Sequence, residues 1–445
     1  MRNNFLGAAA AAALASTVAA DASYTLSNQN EVRTTATSMA KNLVGFLKNG
    51  TSLLPEDQYD WFSNAALWAS IIEFGHNTGD STYASTALAA IASQYGDNAD
   101  FAPEQQTLTE GNDDQAFWAT TALLAAERGQ DDPKGKPKWV DAAIKVYTTQ
   151  QQRYDAETAC KGGLRWQLRA ANVGYNYKNS ISNGLFFNLA ARLARYTGSQ
   201  TYIDSAEKTW EWLELSGLVD NKTYSVYDGI STDDCGKVLK TELTMSNSVL
   251  ALGAANLYNI TKDDKQKMWQ ARLGNLTARA TDRFFSKSIL TETSCEGINS
   301  CSTSVDLMKG MLAQHYGQAM QLAPFISNDN MTELLQSSAV AAARQCAFGD
   351  NGQICGLNWL SGKGENKTAN AMSQVSALNM VNSLMSSKAV APYTNKTNPV
   401  NIAKDKGGKG TNGGKDGNDN ASGRVEANAM LAAVLMLSSA AYHAI

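Results

Sequence analysis

Two kinds of helical segment alternate along the chain. Both repeat apolar residues at the three- and four-residue spacing of an α-helix. Segments of the first kind carry a charged face, which is typical of surface helices. They span residues 31–47, 83–95, 138–153, 202–213, 265–284 and 331–343. Segments of the second kind are apolar or small on nearly every side, and they span residues 65–74, 115–126, 180–196, 245–258, 306–322 and 374–384.

A helix without a polar face must be enclosed by other helices. Six enclosed helices that alternate with six outer ones predict an all-α protein, an (α/α)6 barrel of six inner and six outer helices. An irregular helical bundle is the alternative. In the barrel, the N-termini of the inner helices gather at one end, where free N–H groups and the positive helix dipole favour carboxylates. The best candidate for a short strand or hairpin is GGLRWQL at residues 162–168.

Both ends of the chain have the composition of targeting signals. Residues 1–20 combine an early Arg2, an apolar run and small residues up to Ala20, which predicts a secretory signal peptide. The small residues Asn420, Ala421 and Ser422, a short polar stretch and an apolar tail follow one another here, which predicts a GPI-attachment propeptide at residues 421–445 with Asn420 as the attachment residue. An Ala-rich first helix and a plain amphipathic terminal helix are the alternatives. Neither segment reaches the ~20 apolar residues of a membrane span, so a lipid anchor is the only membrane contact expected.

Between these signals the chain divides into a globular domain at 21–393 and a stalk at 394–420. The stalk is rich in Gly, Asn, Lys and Asp, and has too few apolar residues to offset the entropy lost on ordering. We therefore expect the stalk to be flexible. The globular domain is long enough to bury a large core, and we expect it to be a monomer.

Charge and histidine content exclude several classes of function. The net charge is −4 and the sequence has no basic stripe, so we expect no nucleic-acid partner. Only His76 and His315 lie in the globular domain, and neither has the spacing of a metal ligand. We expect no metal, no cofactor and no serine triad, which leaves carboxylates as the candidate catalytic groups.

Cysteines and glycosylation sequons are consistent with export. Six cysteines in a secreted chain predict three disulfides. Cys295 with Cys301 and Cys346 with Cys355 are close enough to pair locally, which leaves Cys160 with Cys235, although other connectivities remain open. The N-x-S/T sequons predict glycans at Asn49, Asn221, Asn259, Asn275, Asn330, Asn366 and Asn395.

The best candidate for chemistry is EGNDDQAFW at residues 110–118, at the start of the second enclosed helix. Asp113 and Asp114 are consecutive, so one carboxylate can accept from the helix N-terminus while the other turns inward. Two like charges this close cannot both ionise freely, and the pKa of one should rise. An ionised nucleophile beside a protonated acid is the pair that retaining glycosidases use, at ~5–5.5 Å. The alternative is that both residues only cap the helix.

Aromatic and amide side chains surround the same end of the predicted barrel. Flat aromatic faces pack against sugar C–H groups, while amides bond to the hydroxyls. Each Trp alone is more typical of a core, but together with the amides they indicate a sugar-lined cleft. The predicted substrate-binding residues are Trp61, Trp118, Trp166, Tyr175, Tyr177, Asn112, Gln115, Asn179 and Asn183.

These residues lie in stretches that resemble glycoside hydrolase family 76, especially its fungal GPI-anchored cell-wall members. The matching stretches are GNDDQAFW at 111–118, GGLRWQL at 162–168, GYNYKNSISNGLFFNLAARLARYTG at 174–198, VYDG at 226–229, LAPF at 322–325 and CGLNW at 355–359. The resemblance implies an (α/α)6 barrel without a metal, and a retaining mechanism on α-1,6-mannosidic bonds. It also implies that Asp113 is the nucleophile and Asp114 the general acid/base.

By the same resemblance the substrate is wall mannan or the GPI-core glycan, with wall β-glucan as an acceptor if the enzyme transfers rather than hydrolyses. The implied location is the outer face of the plasma membrane or the cell wall. The sequence departs from the family pattern at Trp61-Phe62, where a Trp-Trp pair is usual, and at Met245, near an expected Tyr-Asn motif. A catalytically impaired, wall-anchored mannan-binding or structural protein on the same barrel is therefore the alternative function.

Overall fold

The computed structural model describes residues 25–48, 50–348, 354–361 and 369–402. The predicted signal peptide, the GPI-attachment propeptide with Asn420, most of the stalk, and the sequons at Asn49 and Asn366 lie outside these residues. The other five sequon asparagines (Asn221, Asn259, Asn275, Asn330 and Asn395) are exposed, so each is open to the modification that the sequence predicts.

The described chain is mostly helical, as predicted. Its α-helices are α1 Gln29–Val44, α2 Trp61–Thr78, α3 Ala84–Ser93, α4 Asn112–Glu127, α5 Trp139–Ala156, α6 Ser180–Thr197, α7 Gln200–Leu215, α8 Thr244–Ile260, α9 Asp263–Phe284, α10 Thr303–Asp306, α11 Met308–Leu322, α12 Asp329–Arg344 and α13 Ala371–Ser386. All twelve of the predicted helical segments coincide with one of these helices. Among the described helices, none is both long and apolar enough to cross a bilayer.

Six of the helices are buried on almost every side, and each packs against the next in cyclic order. The order is α2, α4, α6, α8, α11 and α13, and α13 packs again on α2. The amphipathic helices α1, α3, α5, α7, α9 and α12 lie against this ring from outside. Small residues allow the close approach: a Cβ on Gly310 of α11 would lie 2.3 Å from the Cα of Ser376 on α13. Helices this rich in Ala, Ser and Gly can therefore pack at short interaxial distance.

Short strands connect the helices. The longest sheet has three antiparallel strands, β1 Tyr177–Asn179, β2 Tyr227–Ser231 and β3 Asp234–Glu242, with Asn179 opposite Gly229. Two further antiparallel pairs follow, and they are β4 Phe285–Ser286 with β5 Ile289–Leu290 and β6 Cys346–Phe348 with β7 Ile354–Cys355. The three-stranded sheet leads directly into the starts of α6 and α8, so it fixes two entrances to the ring.

The strand prediction for residues 162–168 is wrong. This segment forms only an isolated bridge between Gln167 and Gly111. Gly162 and Gly163 have φ of 113° and 81°, a region that extended strands do not use. A Cβ on Gly163 would lie 2.2 Å from the Trp212 ring, so the chain turns here to pass beside that ring.

All three predicted disulfides are present. Cys160 bonds to Cys235, Cys295 to Cys301 and Cys346 to Cys355. The first joins the loop before the three-stranded sheet to β3, across 75 residues of sequence. It closes a long loop on the side of the ring where the strands lie, and such a link restricts the unfolded chain most.

Residues 387–402 pack across the opposite end of the ring, where the buried helices finish. Tyr393 N donates to Glu127 O at 2.8 Å, and Asn395 N donates to Tyr196 O at 2.9 Å. Asn398 is 3% exposed and its Nδ2 donates to Ala126 O at 2.8 Å. The compact unit reaches Ile402, beyond the predicted start of the stalk at residue 394. Composition did not indicate this, because the segment is held by the free carbonyls at helix C-termini rather than by apolar burial.

Candidate active site

A cavity opens where the N-termini of the buried helices meet. Its walls come from the first residues of α2, α4, α6, α8 and α11 and from the loops before them. It contains about 1190 Å³ of empty space, part of which is open to solvent. Within the described chain, no Lys or Arg lines it, and its acidic and aromatic residues are Asp60, Glu110, Asp113, Asp114, Asp228, Trp61, Phe62, Phe117, Trp166 and Tyr177.

Asp113 and Asp114 lie in the first turn of α4 and both line this cavity. Asp114 Oδ2 accepts a hydrogen bond from Gly111 N at 2.7 Å, which caps the helix. Asp113 Oδ1 accepts from Asp114 N at 3.0 Å. One oxygen of each carboxyl therefore accepts from the helix backbone, as the capping alternative expects. Both residues nevertheless line the cavity.

Both carboxyls lie close to Gly111. A Cβ on Gly111 would lie 2.5 Å from Asp113 Oδ1 and 3.1 Å from Asp114 Oδ2. These two oxygens are therefore less than about 6 Å apart, which is compatible with the ~5–5.5 Å carboxyl separation of a retaining pair. Any larger residue at position 111 would have to displace one of the two carboxyls.

The two carboxyls differ in how strongly they hold a proton. Burial raises the pKa of Asp113 to about 6, and hydrogen bonds from backbone N–H groups and from the Asn179 and Trp166 side chains oppose that rise. Burial, and next the charge of Asp113, raise the pKa of Asp114 well above its usual range. A hydrogen bond from Gly111 N opposes this second rise. The hydrogen bonds around Asp113 favour its ionised form, and the charge of Asp113 favours the protonated form of Asp114.

Asn179 is placed beside Asp113 by its role at the start of α6. Its Oδ1 accepts from Ser182 N at 2.9 Å and caps the helix. That bond uses the oxygen and leaves the amide N–H groups to face a carboxylate. Trp166 is held by the backbone, because its N donates to Tyr177 O at 2.7 Å and its carbonyl accepts from Asn112 N at 2.9 Å.

Trp61, Trp166, Tyr177 and Asn179 line the cavity as predicted. Trp61 Nε1 donates to Gln94 Oε1 at 2.8 Å, which fixes the ring at the entrance of α2. The Tyr177 hydroxyl donates to Asp228 Oδ2 at 2.5 Å. These four side chains come from three separate segments of the chain, and the fold brings them together with the Asp113–Asp114 pair.

Three predicted substrate-binding residues do not reach the cavity. Trp118 is fully buried behind Trp61, further along α4 than the acid pair. Asn183 is also fully buried, and it bonds to the backbone N and O of Leu164 at 2.7 and 2.9 Å. Gln115 donates to Asp100 O at 2.8 Å and accepts from Arg153. All three face the packed side of their helices, so they support the site instead of touching a ligand there.

Asn112 and Tyr175, the remaining predicted residues, line a second and smaller pocket rather than the cavity. Asn112 Nδ2 donates to Arg165 O at 2.8 Å, which turns its side chain away from Asp113. Tyr175 lies with its ring centroid 4.4 Å from the Arg165 guanidinium carbon. The prediction that they belong to the same cleft as the acid pair is therefore wrong.

Sequence reasoning missed three acidic residues of the cavity. Asp228 belongs to the VYDG stretch, and burial raises its pKa. Asp60 precedes α2 and accepts a hydrogen bond from the Ser304 hydroxyl. Glu110 is 2% exposed, both of its carboxyl oxygens lack a hydrogen-bond partner among the described residues, and burial raises its pKa to about 8. Its position directly before Gly111, close to Asp113 and Asp114, was the only feature of the sequence that pointed to Glu110.

His76 and His315 lie away from the cavity. His315 is buried in α11 and its Nδ1 lies 3.0 Å from Ser248 Oγ, while His76 bonds to Val390 O at 2.8 Å near the opposite end of the ring. Across residues 25–48, 50–348, 354–361 and 369–402, no group of three or more His, Cys, Asp or Glu side chains is arranged to hold a metal ion.

Comparison with known proteins identifies the family. The sequence profile of glycosyl hydrolase family 76 matches residues 27–396. The chain belongs to this family. Family 76 membership confirms the resemblance seen in the sequence, and it makes the protein a glycoside hydrolase.

Individual proteins to which this chain is similar support the same family assignment. The mannan endo-1,6-alpha-mannosidase DCW1 of Saccharomyces cerevisiae is 41% identical over 341 residues, 76% of this chain and 74% of the relative. The crystal structure of Dfg5 from Chaetomium thermophilum in complex with glucosamine superposes with a TM-score of 0.80 at 34% identity, covering 84% of this chain and 95% of that one. An inactive alpha-1,6-mannanase variant from Salegentibacter, in complex with alpha-1,6-mannotriose, shares the fold with a TM-score of 0.65 at 15% identity, covering 80% and 99%.

Proposed function

We propose that this protein is a retaining glycosidase or transglycosidase that acts on α-1,6-mannosidic linkages of wall mannan or of the GPI-core glycan, in fungal cell-wall biogenesis. The observation that carries the proposal is the placement of two adjacent carboxyls, Asp113 and Asp114, in the wall of an acidic and aromatic cavity. The relatives named mannan endo-1,6-alpha-mannosidase supply the linkage.

In the proposed reaction Asp113 attacks the anomeric carbon of the mannosyl unit. Asp114 gives its proton to the departing glycosidic oxygen, so the bond breaks as the covalent mannosyl–Asp113 ester forms. Asp114, now ionised, then takes a proton from a water or a sugar hydroxyl, whose oxygen attacks the same carbon and releases Asp113. Two inversions at that carbon leave the anomeric configuration unchanged.

The neighbours of the pair favour this division of roles. Hydrogen bonds from Asn179 and Trp166 stabilise the charge on Asp113, as a nucleophile requires. Asp114 lies near Asp113 and Asp60, whose negative charges favour its protonated form. Trp61, Trp166 and Tyr177 offer aromatic faces on which a sugar ring can stack.

Hydrolysis and transfer differ only in the acceptor that reaches the ester. Wall β-glucan is the acceptor that we propose for transfer. We also propose that the closed ring of helices is an (α/α)6 barrel, which the cyclic packing of α2, α4, α6, α8, α11 and α13 supports. The composition of residues 1–20 and 421–445 supports secretion and attachment by a GPI anchor at the outer face of the plasma membrane or in the wall.

A binding protein without turnover is the alternative, and the intact pair does not favour it. Phe62 and Met245, where the sequence departs from the family pattern, both line the cavity. They change its surface but leave Asp113, Asp114 and Asn179 in place. We therefore assign their effect to glycan preference rather than to loss of catalysis.

The deciding experiment measures cleavage of α-1,6-manno-oligosaccharides and of a GPI-core glycan by mass spectrometry, with and without an added β-glucan acceptor. We expect Asp113→Asn and Asp114→Asn each to lose at least about a thousandfold in rate. Asp97→Asn, on an exposed loop, is the matched control and should keep wild-type turnover. Wild-type-like turnover in both active-site variants, or cleavage of β-linked sugars alone, contradicts the proposal.

A second substrate separates the two roles. An aryl mannoside has a leaving group that departs without a proton, so Asp114→Asn should lose far less activity on it than on an oligosaccharide. Asp113→Asn should lose activity on both, because no nucleophile remains. Equal losses of the two variants on the aryl substrate contradict the assignment of Asp114 as the acid.

A further inference from the structure

The carboxyl of Asp228 lines the catalytic cavity but has no part in the reaction steps proposed above. The residue is partly exposed, and its Oδ2 accepts a hydrogen bond from the Tyr177 hydroxyl at 2.5 Å. Its other oxygen, Oδ1, has no hydrogen-bond partner in the described part of the chain and is not enclosed by protein. Asp228 Oδ1 is therefore free to accept a hydrogen bond from a molecule in the cavity.

The three-stranded sheet holds Asp228 and Tyr177 in these positions. Strand β1, which contains Tyr177, pairs with β2, which contains Asp228. A Cβ on Gly229 would lie 2.3 Å from Tyr177 Cζ, so the ring lies directly over this glycine and its hydroxyl reaches Asp228. The register between β2 and β3 shifts between Tyr227 and Gly229, and irregularities of this kind re-aim a side chain. Backbone pairing and a hydrogen bond together fix the direction of the Asp228 carboxyl.

The same sheet connects Asp228 to the proposed nucleophile. Asn179, whose side chain hydrogen-bonds to Asp113, lies opposite Gly229 in the pairing of β1 with β2. Opposed residues of antiparallel strands have Cα atoms ~4.5–5.5 Å apart. Asp228 directly precedes Gly229, so the sheet brings its carboxyl to the side of the cavity where Asp113 lies.

Tyr177 leaves Asp228 with the role of an acceptor. Burial and the hydrogen bond to Asp228 raise the pKa of Tyr177, so its hydroxyl keeps its proton and donates to Oδ2. That hydrogen bond opposes the rise that burial causes in the pKa of Asp228, and so it favours the carboxylate. A carboxylate accepts hydrogen bonds and donates none. Since no Lys or Arg of the described chain lines the cavity, a substrate hydroxyl is the donor that fits Oδ1.

We propose that Asp228 is a specificity-determining residue, whose Oδ1 accepts a hydrogen bond from a secondary hydroxyl of the mannosyl unit bound beside Asp113. A sugar whose hydroxyl points elsewhere leaves this carboxylate without its partner, which is how a polar site rejects the wrong substrate. Tyr177 is a positioning residue that acts through Asp228. This role rests on the proposed function, because the sugar concerned is the one that Asp113 attacks.

Kinetics on deoxygenated substrates test the role of Asp228. The probes are an aryl α-mannoside and its 2-deoxy, 3-deoxy and 4-deoxy analogues, and the measurement is kcat/KM of the wild type and of Asp228→Asn. On the parent mannoside we expect Asp228→Asn to lose about ten- to a hundredfold, as is typical of a hydrogen bond to a charged group. On one analogue that loss should disappear, because the partner hydroxyl is already absent. Comparing two proteins on the same analogue cancels the intrinsic reactivity of that analogue.

Two further variants separate a contact with the sugar from a general effect on the fold. Tyr177→Phe keeps the ring but removes the hydroxyl that holds Asp228 Oδ2. It should lose less than Asp228→Asn on the parent mannoside, and its loss should disappear on the same analogue. Asp233→Asn makes the same change of charge on an exposed residue between β2 and β3, and it should keep wild-type rates on all four substrates.

The outcomes distinguish this role from the proposed function. A loss in Asp228→Asn that is equal on all four substrates, or no loss on any of them, overturns the role of Asp228 and leaves the proposed function standing. A wild-type protein that cleaves no α-mannoside contradicts the proposed function, and the role of Asp228 with it. If Asp228→Asn does not fold, Tyr177→Phe decides, and an equal loss on all four substrates in that variant also overturns the role.

Discussion

Trp118 stacks directly behind Trp61, with ring centroids 5.4 Å apart and planes tilted by 35°. Trp61 lines the cavity, whereas Trp118 is fully buried and also stacks on Phe101 at 6.0 Å. The aromatic wall of the active site is therefore two rings deep. The outer ring can contact a sugar, and the inner ring fixes the position of the outer one.

The two rings should respond differently to removal. We expect Trp118→Ala to lower the free energy of unfolding by roughly 3–5 kcal/mol, because it leaves a large cavity in the core. Trp61→Ala should lower it much less, since the ring is only partly buried, but should raise KM. Denaturant unfolding and steady-state kinetics on both variants check this. A large stability loss at Trp61 with none at Trp118 would contradict it.

Activity should follow a bell-shaped pH profile that belongs to the coupled carboxyl pair. Below about pH 6 the rate should fall, because Asp113 gains a proton and can no longer attack. At higher pH it should fall again as Asp114 loses the proton that it must donate, at a pH above that of the first limb. The measurement is kcat/KM on an oligosaccharide between pH 4 and 9.

The aryl mannoside provides the control for this profile. Its leaving group needs no proton, so the alkaline limb should weaken or vanish while the acidic limb stays. If both limbs are identical on the two substrates, Asp114 is not the group that sets the alkaline limb.

Stability should also depend on pH through Asp114. Its pKa is raised in the folded protein, so the folded chain holds a proton that the unfolded chain releases. The stability contributed by that proton is complete below the unfolded pKa of about 4 and is lost as pH rises towards the folded pKa. Asp114→Asn removes this loss. Relative to wild type, it should therefore be stabilised more at pH 7 than at pH 4.

Urea unfolding at the two pH values measures the effect. In the Asp114→Asn variant the new side-chain amide oxygen can still accept from Gly111 N, so the helix cap is kept. Asp97→Asn, on the surface, should show the same difference from wild type at both pH values. An Asp114→Asn gain that is independent of pH would mean that burial does not raise the pKa of this carboxyl.

The opposite end of the ring contains buried ion pairs. Arg192 Nη2 lies 2.6 Å from Glu127 Oε2, and Arg128 Nη2 lies 2.6 Å from Glu73 Oε1, all almost without exposure. Removing one partner leaves an uncompensated buried charge. We expect Arg192→Met to lower the free energy of unfolding by about 3–5 kcal/mol, and the double variant with Glu127→Met to recover part of that loss. Unfolding of both variants tests this, and a double variant no better than the single one would contradict it.

Most of the helical architecture could be predicted because the pattern of apolar and polar residues within each segment indicates both a helix and whether that helix is enclosed. A stretch such as Ala65 to Phe74, with almost no polar face, can only be stable when it is enclosed. The acid pair could also be predicted from the sequence, since two consecutive carboxylates at a helix start have few physical interpretations. These are properties of neighbouring residues, and neighbours are what a sequence shows.

What the sequence could not show is which way a side chain faces. Trp118 and Asn112 belong to the same helix as the acid pair, yet one turns into the core and the other into the second pocket. Asp228 lines the cavity beside Tyr177, whose hydroxyl donates to it although the two residues are 51 positions apart in the chain. Such placements depend on the packing of separate segments, which local patterns do not encode.

The segment after Tyr393 allows a last test, because composition and structure disagree about it. Its residues are polar enough to predict a flexible stalk, but Asn395 N and Asn398 Nδ2 bond to the carbonyls of Tyr196 and Ala126 at the ends of α6 and α4. A secreted chain that ends at Tyr393 should therefore be less stable than one that ends at Ile402, by roughly 1–3 kcal/mol, since those carbonyls lose their donors. In the longer chain, Asn398→Ala should reproduce part of the loss, and Lys396→Ala, on an exposed residue, should not. Hydrogen exchange should increase in the last turns of α4 and α6 of the shorter chain. Equal stability of the two chains would mean that the domain ends at Tyr393, and that the contacts of residues 394–402 contribute nothing to the fold.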